Sequence, residues 1–399
     1  MKNTASLHEP LFHITKRPPM KTKNAMLIRA SAFIAALILS SLFVLITIGV
    51  DPFTFIKTML KGSFGVTGME KADSFATFFN VFSTSYLWTT IKTACKLLLI
   101  AVALAPAFKM RFWNIGAEGQ LLAGGIGAAF IMFNYGTLPS YILLPLMLII
   151  SIVCGSLWGV LPAVFKSKFN TNETLFTLMM NYIAMKIVDY FYNLWRGPKS
   201  ALGMINPSSQ AGWISSIWDG KERAWFRNED LIFMITIIII TVLMYMYLRY
   251  TKQGYEIAVV GDSQNTAKYA GISVNKVMIR TMAISGGLCG LCGFLCVSSQ
   301  SHTISSNLGS GYGFTAIIVA WLSKFNTFVM IGVSVLIVAL ENGSMLMANT
   351  YSDLGFSPAS AKIIVGVMLL FIIGCEFFIN YKLMFRARAT KKNSEEVSV

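Results

Sequence analysis

The chain reads as an all-α polytopic membrane protein, and three observations lead there. Hydrophobic residues fill 55% of the 399 positions and charged residues only 13%, about half the charged share of a soluble domain. Mean hydropathy is +0.62. Separate apolar runs recur along the whole chain, several of them reaching the roughly 20 residues with which an α-helix crosses a bilayer.

Taken in order, residues 1–24 are polar, carry Lys16, Arg17, Lys21, Lys23 and the Pro18-Pro19 pair, and form a tail. The apolar run from Met26 to about Val50 is too long for a signal-peptide core and lacks a small-residue cleavage site, so it reads as a first transmembrane helix. Asp51-Pro52 ends that helix, and residues 52–76 form an amphipathic outer segment. Nine further spans are expected at about 80–107, 112–133, 139–165, 174–195, 231–250, 277–298, 310–323, 327–348 and 360–381, giving ten. The membrane domain is thus 25–385, with a large outer loop at 196–230, a cytoplasmic loop at 251–276 and a C-terminal tail at 386–399.

Charge orients these spans. Of the Lys and Arg residues, 21 fall in segments assigned inside and 8 in segments assigned outside, the asymmetry of the positive-inside rule with both termini cytoplasmic. The net charge of +15 is spread over short loops and forms no basic stripe interleaved with aromatics, so no nucleic-acid partner is expected. The outer loop carries Trp213, Trp218 and Trp225, which suit an interface or docking surface. Within spans, Lys186 and Asp189 are spaced for an i,i+3 pair, or Lys186 snorkels to the interface. Lys92 and Lys96 have no evident partner in the sequence.

The residues also exclude chemistry. Cys95, Cys154, Cys289, Cys292, Cys296 and Cys375 all lie in apolar runs, and His8, His13 and His302 are scattered, so neither disulfide nor metal site is expected. No phosphate-binding G-x-x-x-x-G-K-[ST] loop occurs. Ile284-Ser-Gly-Gly-Leu288 resembles an ATPase signature by accident, inside a membrane span. No nucleophile and base are clustered. The chain is expected not to be an enzyme, and any uphill transport must draw on a partner or an ion gradient.

Polar interruptions of the apolar runs are the candidate functional residues. Phe112–Gly125 places Asn114, Glu118 and Gln120 among glycines that let another backbone come close. Either Glu118 faces a polar path within the membrane, or it lies in water at the cytoplasmic surface beside Lys109 and Arg111. Asn172 and Glu173 precede a span, where they suit a helix N-terminus as well as a path. Asn181 lies two turns into that helix. The internal stretch Thr251–Arg280 contains Gly254, Tyr255, Glu256, Gly261, Asn265, Tyr269 and Gly271, read as a short amphipathic helix with glycine breaks. Its bland reading is an ordinary connecting loop. Ser298–Phe314 faces outward before a short Gly-rich span, and Glu341-Asn342 interrupts the ninth span.

Four of these pieces carry a resemblance. Asn114-Ile-Gly-Ala-Glu-Gly-Gln120, Asn172-Glu173 with Leu178-Met-Met-Asn-Tyr-Ile-Ala184, Gly254 through Ala270-Gly-Ile272, and Gly311-Tyr-Gly-Phe-Thr-Ala-Ile-Ile318 occur in order over about residues 85–380. The chain resembles the permease subunits of bacterial ABC importers for nucleosides, within the ribose, simple-sugar and branched-chain amino acid permease group. The resemblance implies the ABC importer permease fold in the bacterial cytoplasmic membrane. It also implies a second, related permease chain in a heterodimer, ATPase subunits that hold ATP and magnesium, and a substrate-binding lipoprotein or periplasmic binding protein. No cofactor is expected on this chain. Gly254, Tyr255, Glu256, Gly261, Asn265, Tyr269 and Gly271 would couple to the ATPase. Asn114, Glu118, Gln120, Trp113, Asn172, Glu173, Asn181 and Tyr312 would lie on or beside the substrate path. Transport of ribose or another simple sugar is the alternative within the group. A secondary transporter driven by an ion gradient, with Glu118 and Glu341 as its carboxylates, is the alternative outside it.

Overall fold

In a computed structural model of the protein, residues 12–18, 20, 22–65, 84–197, 200–214 and 228–385 are described. Trp218 and Trp225 of the outer loop lie outside the described residues. The chain divides into two compact units, one of residues 1–60 with 343–399 and one of residues 61–342.

The first unit pairs the two ends of the chain. Helix α1 (Thr22–Ile48) packs on α13 (Pro358–Asn380), and Arg29 of α1 forms an ion pair with Glu376 of α13. Leu27, Ile38 and Ile46 of α1 and Leu370 of α13 are more than half exposed, as suits side chains whose solvent is lipid. Beyond the helices, β1 (Phe12–Lys16) and β2 (Tyr381–Phe385) form an antiparallel ribbon in which Phe12 pairs with Phe385 and Lys16 with Tyr381. This ribbon departs from an all-helical reading. Five-residue strands drawn from a polar tail and a helix end carry too little periodicity to be seen in advance.

The second unit holds α2 (Pro52–Phe64) from Lys61 onward, then α3 (Thr84–Lys109), α4 (Ala117–Asn134), α5 (Ser140–Phe169), α6 (Glu173–Trp195) and α7 (Asn228–Tyr250). After them come α8 (Lys252–Asp262), α9 (Gln264–Tyr269), α10 (Val274–Leu295), a π-helical turn (Cys296–Ser301), α11 (Tyr312–Leu322) and α12 (Thr327–Thr350) as far as Asn342. Each expected span coincides with a helix. Among the described residues seven helices are long and apolar enough to cross a membrane, namely α1, α3, α5, α7, α10, α12 and α13. The other three span positions are taken by α4, α6 and α11. Helix α11 has only 11 residues, about 17 Å of rise against a hydrocarbon core of about 30 Å.

The centre of this unit is α4, α5 and α10 packed on one another. Their contact is backbone against backbone. A Cβ on Gly124 would meet the Cα of Gly290, and one on Gly155 would meet the carbonyl of Gly286. With lipid outside there is no hydrophobic gain from burying Leu against Leu, so close van der Waals approach at small residues supplies the association. Helix α3 packs on α10 and α11, and its stretch from Leu97 to Ala107 is almost wholly buried. That rigid triplet and α3 form the frame around the broken segment before α4.

Candidate functional site

The apolar run at 112–133 does not begin as a helix. Residues 112–116 are non-helical and α4 starts only at Ala117. Asn114 explains the break, because its Oδ1 accepts the Gly116 N–H at 3.0 Å and ties the backbone into a turn. Its amide faces Gln120 in a reciprocal pair, with Nδ2 to Oε1 at 3.3 Å and Nε2 to Oδ1 at 3.2 Å. Ser285 of α10 accepts a further bond from Asn114 at 3.3 Å. Helix α6 holds the same segment from another side. Asn181 Nδ2 donates to the Ile115 carbonyl at 2.9 Å, its Oδ1 accepts the Gly119 N–H at 2.8 Å, and Thr177 accepts the Ile115 N–H at 3.2 Å. A backbone that leaves helical geometry inside a membrane protein must find such partners.

Glu118 is 1% exposed. Its placement in water at the cytoplasmic surface is therefore overturned, because the turn ahead of α11 covers it. Oε2 accepts the Gly313 N–H at 2.7 Å and Oε1 the Gly311 N–H at 3.2 Å. The carboxylate thus sits at the N-terminus of α11, where free N–H groups and the helix dipole favour an anion. Gly309 and Gly313 leave the room: a Cβ on either would strike the Glu118 side chain. Lys96 of α3 holds the turn from its other side, donating to the Leu308 carbonyl at 3.0 Å and lying 5.4 Å from the centre of the Tyr312 ring. Glu341 of α12 lies close to the Tyr312 side chain. Two broken helices, α4 and α11, are thereby joined end to end by one buried carboxylate.

The other path candidates are more dispersed. Trp113 is 43% exposed and stacks on Trp321 of α11, ring centres 5.1 Å apart. Asn172 caps α6, accepting the N–H groups of Thr174 and Leu175, and Glu173 pairs with Lys166 at 2.9 Å. Both are therefore engaged in the helix end. Lys186 and Asp189 form their i,i+3 pair at 3.1 Å. Lys92 pairs with Asp230 of α7 at 3.0 Å, and Asn342 donates to Thr90 at 2.8 Å. The partners of Lys92 and Lys96 lie 138 and 212 residues away in sequence.

The internal stretch forms two short helices rather than one. Thr251 caps α8 through the Gly254 N–H, and Ser263 caps α9 through the Thr266 N–H. A Cβ on Gly254 would meet the backbone of Tyr247 and Leu248, and one on Gly261 the Lys109 carbonyl, so α8 lies tightly against the ends of α7 and α3. Gly271 has φ +74°, a left-handed conformation that other residues adopt at a cost. Glu256 is tied inward to Arg280 at 2.9 Å, whereas Tyr255 and Tyr269 are 67% and 93% exposed and Asn265 is also exposed. At another pole, Ile205 N–H donates to the His302 carbonyl, Trp213 stacks on the His302 ring at 3.8 Å, and Asn206 donates to Met132. The segments assigned outside thus meet one another.

Residues 86–373 match the family model described as branched-chain amino acid transport system, permease component. The chain belongs to that family. Its relatives include the guanosine ABC transporter permease NupP of Bacillus subtilis, 28% identical over 77% of this chain and 87% of that protein. The nucleoside ABC transporter permease NupB of Lactococcus lactis is 28% identical over 77% and 85% of the two chains. The glucose ABC transporter permease TsgB13 of Haloferax volcanii is 26% identical over 79% and 83%. The permease is accordingly a multi-pass cell-membrane protein and a transport subunit, a family that works with a separate ATPase and a substrate-binding protein.

Proposed function

We propose that this permease translocates nucleosides inward in an ATP-driven importer. The carrying observation is the pair of nucleoside-transport relatives, each matched over more than four-fifths of its own length. In this reading the ATPase docks on α8 and α9, through surface that includes Tyr255, Asn265 and Tyr269. A second, related permease chain completes the pore, and the ATPase holds the ATP and magnesium. Receptor docking outside and ATPase closure inside would rock the paired permeases between outward and inward access.

The break ahead of α4 and the short α11 favour placing the path beside residues 112–120, because discontinuous helices commonly flank transport sites. Asn114 and Gln120 already satisfy each other, so in this reading they shape the wall. Trp113 and Tyr312 offer rings on which a base can stack. A sugar is the second reading, favoured by the glucose permease relative. Competition separates the two. Labelled uridine uptake by cells expressing the chain with its neighbouring operon products should be blocked by adenosine and unaffected by ribose. Inhibition by ribose alone would move the permease to the sugar branch.

A further inference from the structure

Helix α6 carries a polar stripe on its exposed face. Leu175, Met179, Tyr182, Lys186, Tyr190 and Asn193 follow one another at helical spacing, and all are exposed. The exposed faces of α1, α7 and α13 instead present side chains such as Ile38, Ile238 and Leu370 in mid-helix. With 23 residues α6 is long enough to cross a bilayer, yet it is not among the described helices apolar enough to do so.

Depth gives this stripe its meaning. The helix rises from Glu173, paired with Lys166 at the inner end, to Trp195, which stacks on Phe133 at the outer end. At 1.5 Å per residue Lys186 lies about 20 Å from the first and about 14 Å from the second. That is near the middle of a hydrocarbon core of about 30 Å. The Lys186 side chain is 82% exposed and pairs with Asp189, itself 39% exposed, at 3.1 Å. A lysine near a helix end snorkels to the headgroups, but from mid-helix they are out of reach. Charges that persist at this depth face a water-filled cavity or a partner rather than lipid. Two features favour water. A protein seated on the stripe would desolvate an ammonium and a carboxylate that already neutralise each other, with no new charge to offset the loss. The same helix also holds the break at 112–116 through Asn181 and Thr177, so the stripe runs beside that segment.

We propose that this stripe lines a water-filled stretch of the solute path and binds a nucleoside in passage. Tyr182 and Tyr190 flank the ion pair, about one turn to either side, and their rings offer flat apolar faces to a base. Asp189 accepts from ribose hydroxyls, and Lys186 donates to hydroxyl or base oxygens. A pair of zero net charge draws in neither a cation nor an anion, which suits a neutral solute. The ligand class rests on the nucleoside reading; the water-filled face does not.

The test is cysteine labelling of the whole transporter by a membrane-impermeant cationic methanethiosulfonate, on intact cells and on inverted vesicles, read by the mass of the purified permease. From at least one side, Lys186→Cys and Tyr190→Cys should react at least about tenfold faster than Ile238→Cys of α7, because the reactive thiolate forms where water reaches it. The unaltered chain, whose cysteines are buried or half-buried, sets the background. Saturating uridine should slow both reactions several-fold. Tyr190→Leu should raise the half-saturating uridine concentration of uptake, and Tyr190→Phe should not. Reaction of Lys186→Cys no faster than that of Ile238→Cys, in cells whose unaltered transporter takes up uridine, would overturn the water-filled face and leave the nucleoside reading intact. Labelling in the chain expressed alone but not in the assembled transporter would assign the stripe to the second permease and overturn the site. Rapid reaction slowed by ribose and not by uridine would overturn the nucleoside as its ligand.

Discussion

Replacing Glu118 by Gln tests the joint between α4 and α11. The substitution keeps size and shape but turns one acceptor oxygen into a donor. Only one of the Gly311 and Gly313 N–H groups then keeps a partner, and the other faces an N–H₂ group. A hydrogen bond to a charged acceptor contributes about 1.5–3 kcal/mol, and an orphaned buried donor costs about 1–3 kcal/mol. Because these overlap, about 2–4 kcal/mol is expected. At 1.36 kcal/mol per factor of ten this favours local opening of the 308–313 turn by roughly 30- to 1,000-fold. The assay is hydrogen exchange of the purified transporter, followed by peptides covering 305–316. Exchange there should accelerate by that order while peptides covering α8 stay unchanged. Equal protection in Glu118→Gln and wild type would refute the view that the carboxylate holds this turn.

Other substitutions probe neighbouring contacts. Gly313→Ala puts a Cβ 2.6 Å from the Glu118 backbone nitrogen; uptake should be lost and thermal stability should fall by about 1–3 kcal/mol or more. Asn181→Leu strands the Gly119 N–H and the Ile115 carbonyl, costing about 2–4 kcal/mol, seen as a lower melting temperature. Lys92→Met takes the ammonium away from Asp230, which also accepts the Trp88 indole N–H at 3.3 Å. Since Lys92 is partly exposed, about 1–3 kcal/mol is expected, and adding Asp230→Asn should recover most of it. Gly261→Ala pushes α8 off the Lys109 carbonyl and should leave ATP hydrolysis running while uptake falls; two unchanged activities would remove that coupling role.

What the sequence made legible follows from the range of each interaction. The helices were visible because a span is a local run of apolar residues with basic ends. Asn172 and Glu173 could be read as a helix start because capping acts over three or four residues, and that is where they act. The break at 112–116 was legible as a cluster of Asn and Gly, but its cause was not. Glu118 and Gly313 are 195 residues apart, and no local pattern announces such a pair. The same holds for Lys92, Lys96 and Asp230. Gly309 and Gly313 fall in the stretch Ser298–Phe314 that the sequence singles out, but the reason for them is the distant Glu118 carboxylate, which needs their missing side chains. The single helix expected between Thr251 and Arg280 divides at Ser263, whose hydroxyl caps the second piece.

We propose that this chain carries nucleosides as part of an ATP-driven importer. Its most direct test is uptake of labelled uridine by cells co-expressing the chain with its ATPase, partner permease and binding protein, under competition by adenosine or ribose. Uptake should be saturable, blocked by adenosine, unaffected by ribose and abolished by an inactive ATPase. No uridine uptake by a transporter shown to be assembled, or uptake unaffected by inactivating the ATPase, would contradict it.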